Sequence, residues 1–302
     1  IFKNKIRTNK IIRTINYNWR NIMDNTSYST AGFRKQTLQQ ALDSIKKAGF
    51  PAVEIGCNPH ANHPFKNVAL NEFIKELDTR NLKPRSIHAP SGLTTLGATT
   101  EEWRIKEVKT LESFIIFASD IGASDMVIHP IPNPIFVPEP DNPNNPAIME
   151  KAVIRSLDYL IPIAEKYGVR MNLENLPYHC NYPYRSMKEL RLLVDQYPAN
   201  QLGLILDTGH VGVMGNEIVE EIKSAGDRLK GTHLHDVNGN QDGDDHKGPN
   251  RGVLNWDDML KTLIEINYSG PYTFETIVTK ENETEEELAI FTRTFAKTWL
   301  SI

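Results

Sequence analysis

From Tyr28 to its C-terminus the chain alternates a short apolar run with a longer amphipathic stretch, eight times in succession. The apolar runs are "YSTAGF", "AVEIG", "PRSIHAP", "DMVIHP", "RMNLENL", "LGLILDTGH", "LKGTHLHD" and "PYTFETI". The first amphipathic stretch shows how the others read. Leu38, Ala41, Leu42, Ile45 and Ala48 recur at helical spacing, and Gly49 closes the run. Strands that alternate with helices imply a parallel sheet with crossover connections. Eight such units in one chain of this length imply the α/β class and a closed (β/α)8 barrel, the TIM-barrel architecture. An open doubly wound sheet is the competing fold, but no Gly-rich phosphate fingerprint follows the first strand. One barrel domain over residues 28–302 is therefore expected. Residues 1–27 open with "IFKNKIRTNKIIRTINYNWRNI", which is basic, free of acids and irregular in its apolar spacing. This segment is expected to be an extension outside the catalytic domain. The Pro-rich "IPNPIFVPEPDNPNNP" cannot be a helix, and long loops of this kind often serve as lids.

In a parallel barrel the loops after the strands gather on one face, where chemistry is built. The strand ends can therefore be compared directly. The third offers His88, the fourth His129, the fifth Glu174, the sixth Asp207, the seventh His233 and the eighth Glu275. One buried His or Glu at a strand end is more often structural. Six in register on that face form a stronger signal. Three carboxylates and an imidazole suit a borderline divalent ion such as Mn, Co or Zn, and suit Mg less well. The segment "THLHDVNGNQDGDDHKGPNRGVLNW" adds His235, Asp236, Asp244 and His246. His235 shares the face of His233 by strand periodicity, so spacing leaves the choice between them open. Asp236 points the other way and is a candidate to orient a neighbour. Glu54 reads equally as a partner of such a site or as a structural carboxylate. His60, His63 and His179 read as surface loop residues. Asp257 and Asp258 open a helix, where the macrodipole accounts for them. Trp256 reads as a packing aromatic.

The formal net charge of -4 disfavours nucleic acid as a partner. No run approaches the length of a membrane span. Cys57 and Cys180 are far apart and form no framework. They fit a reducing compartment, so a cytoplasmic location is expected.

"LEN", "LDTGH", "HLHD", the later D-x-H and "FET", with "SIHAP" and "VIHP", resemble the xylose isomerase-like barrel superfamily over nearly the whole domain. That group holds sugar isomerases and epimerases, dehydratases and endonuclease IV. By position, the resemblance implies that Glu174, Asp207, His233 and Glu275 are metal ligands. It makes His210, His88 and His129 residues that contact substrate or a further metal. It matches Asp244 and His246 to a pair that holds an extra metal in endonuclease IV. The chain departs from free-ketose 3-epimerases at Cys180, where they carry a second Glu, and at Gly239, where they carry an Arg. Arg251 is the nearest substitute and a candidate anion anchor. The resulting expectation is a metal-dependent isomerase or epimerase acting on a sugar or sugar derivative through an enediolate, with Glu174 and Glu275 as proton carriers. The alternatives are a dehydratase or lyase using the same chemistry, an abasic-DNA phosphodiesterase, and a sugar-binding barrel without catalysis. A homo-oligomer stays open.

Overall fold

The computed structural model describes residues 25–56, 69–239 and 243–301. Cys57, His60 and His63 lie outside the described residues. Eight parallel strands close into a barrel in sequence order. They are β1 (Thr26–Ser29), β2 (Ala52–Gly56), β3 (Lys83–His88), β4 (Asp125–Ile128), β5 (Arg170–Glu174), β6 (Leu202–Asp207), β7 (Leu229–Leu234) and β8 (Tyr272–Phe274). Nine α-helices lie among the described residues. They are α1 (Leu38–Ala48), α2 (Leu70–Arg80), α3 (Glu101–Asp120), α4 (Asn145–Tyr167), α5 (Met187–Val194), α6 (Thr208–Met214), α7 (Ile218–Ala225), α8 (Trp256–Glu265) and α9 (Glu285–Trp299). Among the described residues no helix is long and apolar enough to cross a membrane.

Local chemistry sets these boundaries. Thr37, Ser186 and Thr284 each close a capping box, with Gln40, Glu189 and Glu287 respectively. Each such cap stabilises its helix by about 1 kcal/mol. Gly49 and Gly168 end α1 and α4 in the left-handed conformation, which costs a glycine nothing. The apolar faces of the helices pack on the outer faces of the strands. Along β5, Met171 and Leu173 enter this outer core, whereas Asn172 and Glu174 alternate toward the barrel interior.

Four strands differ in their bounds from the sequence reading. Strand β1 already starts at Thr26, inside the segment assigned to the extension, and its "TAG" is a 3-10 turn. Strand β6 stops at Asp207, because the Asp207 side chain accepts a hydrogen bond from the His210 amide at 2.7 Å and starts α6. His210 therefore stands on a helix rather than at a strand end. Strands β7 and β8 end at Leu234 and Phe274, so His235, Asp236 and Glu275 lie just beyond them. The Pro-rich loop contains only a 3-10 turn at Pro134–Phe136 before α4.

Two registers slip. Val53 faces Pro84 and Glu54 faces Ser86, so the β2–β3 ladder passes over Arg85. Leu204 faces Leu229 and Ile205 faces Gly231, so the β6–β7 ladder passes over Lys230. The first slip sets Ser86 Oγ to donate to Glu54 Oε2 at 2.7 Å.

Candidate active site

The six strand-end residues converge at the mouth of the barrel. His233 is the hub. Its Nδ1 lies 2.7 Å from Glu174 Oε1, 3.2 Å from Glu275 Oε2 and 3.9 Å from Asp207 Oδ2. Its Nε2 lies 3.2 Å from Glu54 Oε2. Glu54 therefore grips the ring from behind while Nδ1 faces three carboxylates. Glu174 extends the group, since its Oε2 lies 3.1 Å from His88 Nε2 and 3.0 Å from His129 Nε2.

A second group adjoins the first through Asp207. His210 and His246 present Nε2 to Asp244 Oδ2 at 3.1 and 2.8 Å. His235 Nε2 lies 2.9 Å from Asp207 Oδ1, and its ring stacks on His246 with centroids 4.0 Å apart. Gly209 makes room for it, because a Cβ there would come within 1.9 Å of the His235 ring.

The backbone fixes which nitrogen each ring offers. Nδ1 of His88, His210 and His246 lies 2.6, 2.7 and 3.1 Å from the carbonyls of Ala89, Asn175 and Glu275. Only an N–H can satisfy a carbonyl, so each Nε2 is left to face the carboxylates. Asn175 also brackets Asp207, accepting from its amide at 2.8 Å and donating to its carbonyl at 3.0 Å.

Glu54, Glu174, Asp207 and Asp244 are set against imidazoles; no Lys or Arg ion pair to them occurs among the described residues. Burial works against the charge of Glu174, but His233 with His129 and His88 holds its carboxyl well below the usual range. Burial also opposes protonation of His88, His210 and His246. Glu174 nevertheless lifts His88 to about 9, Asp207 and Asp244 lift His210 to about 10, and Asp244 lifts His246 to about 9. His129 goes the other way, pushed down by burial. Protonated imidazoles would neutralise the buried carboxylates. A divalent cation would do so with fewer charges, because carboxylate and neutral imidazole are its natural donors. The donor set fits such an ion. Combinations that bring ligand atoms within 4.8 Å include His88 with Glu174 and His233, Glu54 with His233 and Glu275, and His210 with Asp244 and His246.

All the residues singled out at the strand ends and in the D-x-H loop meet here. Arg251, expected as an anion anchor, is paired with Glu283 rather than with this group. Its two terminal nitrogens each lie 2.7 Å from a Glu283 carboxylate oxygen, and its guanidinium covers the Phe291 ring. Its charge is accounted for by that pair. Asp236 organises the loop's return, accepting from the Leu254 amide at 3.1 Å and from Trp256 Nε1 at 3.0 Å. Trp256 packs on Phe295 and Trp299 as a core aromatic. Half-buried Cys180 has its thiol pushed up by burial. Asn175 escaped the sequence reading; its signal is its place directly after the strand-five carboxylate.

A model of the xylose isomerase-like TIM barrel family matches residues 42–294. Protein MJ1311 of Methanocaldococcus jannaschii is 28% identical over 250 residues, covering 82% of each chain. The inosose isomerase of Halalkalibacterium halodurans is 23% identical over 260 residues, covering 84% of this chain and 88% of its own. Among solved structures, a D-tagatose 3-epimerase-like protein superposes with a TM-score of 0.76 at 22% identity, covering 91% of this chain and 97% of its own.

Proposed function

The chain belongs to the xylose isomerase-like TIM barrel family, and from that premise we propose that it is a divalent-metal-dependent sugar isomerase or epimerase. Its substrate is a polyhydroxylated carbonyl compound. The observation that carries this reading is the Nδ1 atom of His233, with three carboxylates from three different strand ends within 3.9 Å. Glu174, Asp207, His233 and Glu275 would hold the cation, with Mn, Co or Zn preferred. Bound there, such an ion supplies Lewis-acid stabilisation of charge that builds on neighbouring oxygens when a C–H proton leaves.

The side chains divide the remaining work. Glu174 has both oxygens engaged by His233, His88 and His129, and its side chain is 1% exposed. Glu275 is engaged through one oxygen and its side chain is 12% exposed. Glu275 is thus the freer carboxylate and the better acceptor of a substrate proton. Glu174, beside it on the same Nδ1 of His233, is the second carboxylate of the proton exchange. His88 and His129 hold Glu174 and face the same space, where they orient substrate hydroxyls. His210 does so from the neighbouring group.

The test is a panel of ketoses, ketosides, sugar phosphates and inososes, offered to chelated enzyme and to enzyme reloaded with Mn. Isomerisation or epimerisation of one class, lost on chelation and restored by Mn, is expected. Turnover that survives exhaustive chelation overturns the proposal. Dehydration of an inosose would move the reading to a lyase with the same residues. One observation favours a second reading, an endonuclease IV-like phosphodiesterase: Asp244 is set between His210 and His246, a donor group that would suit a further cation. Metal-dependent cleavage of abasic duplex in place of sugar turnover would establish it.

A further inference from the structure

Among the described residues, a second cavity lies at the end of the barrel away from the histidines. Asp125 and Arg170 are the first residues of β4 and β5, and Lys230 is the second of β7. These positions border a cavity of about 710 Å³ at the N-terminal face of the strands. Barrels of this class usually fill their interior with branched aliphatic side chains. Here Ser86, Asn172 and Thr273 line the space beside Ile205 and Leu229.

Both register slips serve this cavity. The ladders pass over Arg85 and Lys230, and both residues line its wall. A bulge re-aims a side chain, so each of the two slips delivers a cation to the same space. Gly203 completes the arrangement. A Cβ there would come 2.4 Å from Lys230 Cγ and 2.5 Å from Asn172 Oδ1, so only glycine lets the lysine stem run past that amide.

The wall carries the carboxylates of Glu54, Asp125 and Asp227 beside its three cations, but Glu54 is held by His233 and Asp227 by Arg191, which leaves Asp125 to pair within the wall. Arg170 reaches Asp125 Oδ1 at 2.6 Å, and the same oxygen accepts from Asn172 Nδ2 at 2.9 Å. Lys230 donates to the main-chain carbonyl of Asp227 at 2.7 Å, which leaves its charge unneutralised there. Burial and the nearby Arg170 both lower its proton affinity. Asn172 is fully buried, yet its Oδ1 has no hydrogen-bond partner among the described residues, and neither has Arg170 Nε. A buried amide oxygen without a donor is costly and calls for a partner.

We propose that the barrel floor is a second binding site, distinct from the histidine group, for a phosphate group that keeps one hydroxyl. Lys230 and Arg170 donate to its oxygens, and its P–O–H donates to Asn172 Oδ1. The probe is inorganic phosphate, titrated calorimetrically into the metal-loaded full chain, with sulfate as an anion that has no hydroxyl at neutral pH.

Saturable phosphate binding is expected, with sulfate weaker by about tenfold for the lost hydrogen bond. Lys230→Met should weaken phosphate by at least about tenfold. Gly203→Ala, which crowds Asn172 Oδ1 while keeping the charge, should weaken it similarly. Exhaustive chelation of the metal should leave it unchanged, because none of the floor residues that hold the phosphate is among the proposed metal ligands. Melting curves check that each variant is folded, and Gly203→Ala stands in if Lys230→Met is not. The absence of saturable binding overturns the proposal. So does binding undiminished in the folded floor variants, or equal affinity for sulfate. Loss of phosphate binding on chelation would assign the anion to the metal of the histidine group and also overturn it.

Discussion

Replacing Glu54 by Gln tests whether the residue behind His233 matters to the residues in front of it. Glu54 is buried, and its Oε2 meets Ser86 Oγ at 2.7 Å and His233 Nε2 at 3.2 Å. The carboxylate favours an N–H at Nε2 and so presents the Nδ1 lone pair to Glu174, Glu275 and Asp207. Gln keeps the size and an oxygen but removes the charge. Its amide can also turn an N–H toward Nε2, which would move the imidazole proton to the ligand face. Removing such a partner typically costs 10–100-fold in metal affinity, or about 1.4–2.7 kcal/mol. We predict that Glu54→Gln weakens Mn binding by about that factor and leaves the stoichiometry unchanged. Competition calorimetry against a chelator measures it. Ser86→Ala, which removes the other hydrogen bond and leaves the charge, should weaken binding less. An affinity within about twofold of the parent for Glu54→Gln, with the fold intact, would refute the idea that Glu54 acts through His233.

Other substitutions probe the remaining parts. Glu275→Gln should retain the fold and lower turnover by about 10²–10⁴-fold, the usual share of a positioned acid or base; steady-state rates beside a melting curve check this, and near-parental rates would refute the role. Asp244→Ala with His246→Ala should keep the cation held by Glu174, Asp207, His233 and Glu275 and chiefly raise KM; loss of about one equivalent of metal together with all activity would favour the phosphodiesterase reading. Gly209→Ala should destabilise the protein by about 1–3 kcal/mol through the clash with His235, and an unchanged denaturation midpoint would contradict that. Arg251→Met should lower the melting temperature through loss of the Glu283 pair while KM stays put; a raised KM without destabilisation would restore Arg251 as an anchor.

The fold and the convergence of the candidate ligands were legible in the sequence because the periodic signals are strong and those residues close their strands. His88, Glu174 and Asp207 end β3, β5 and β6, and parallel strands bring such ends together whatever their separation in sequence. Other features depend on contacts that spacing does not encode. Glu54 and His233 are 179 positions apart, so nothing local could decide between a supporting and a structural carboxylate. His233 and His235 share a periodicity, and they separate only because β7 ends at Leu234 and His235 turns to Asp207. "DTGH" extends an apolar strand on paper, but the Asp207 side chain caps a helix there instead. The two bulges are invisible without the register, and with them the cations of the barrel floor.

The central claim is that Glu174, Asp207, His233 and Glu275 hold one divalent cation. Elemental analysis tests it most directly, on protein purified without chelator, then saturated with Mn and desalted, beside folded His233→Ala treated identically. About one equivalent in the parent chain, lost from His233→Ala, is the predicted result. Less than about 0.1 equivalent in the parent after Mn saturation, or full retention in His233→Ala, would contradict it.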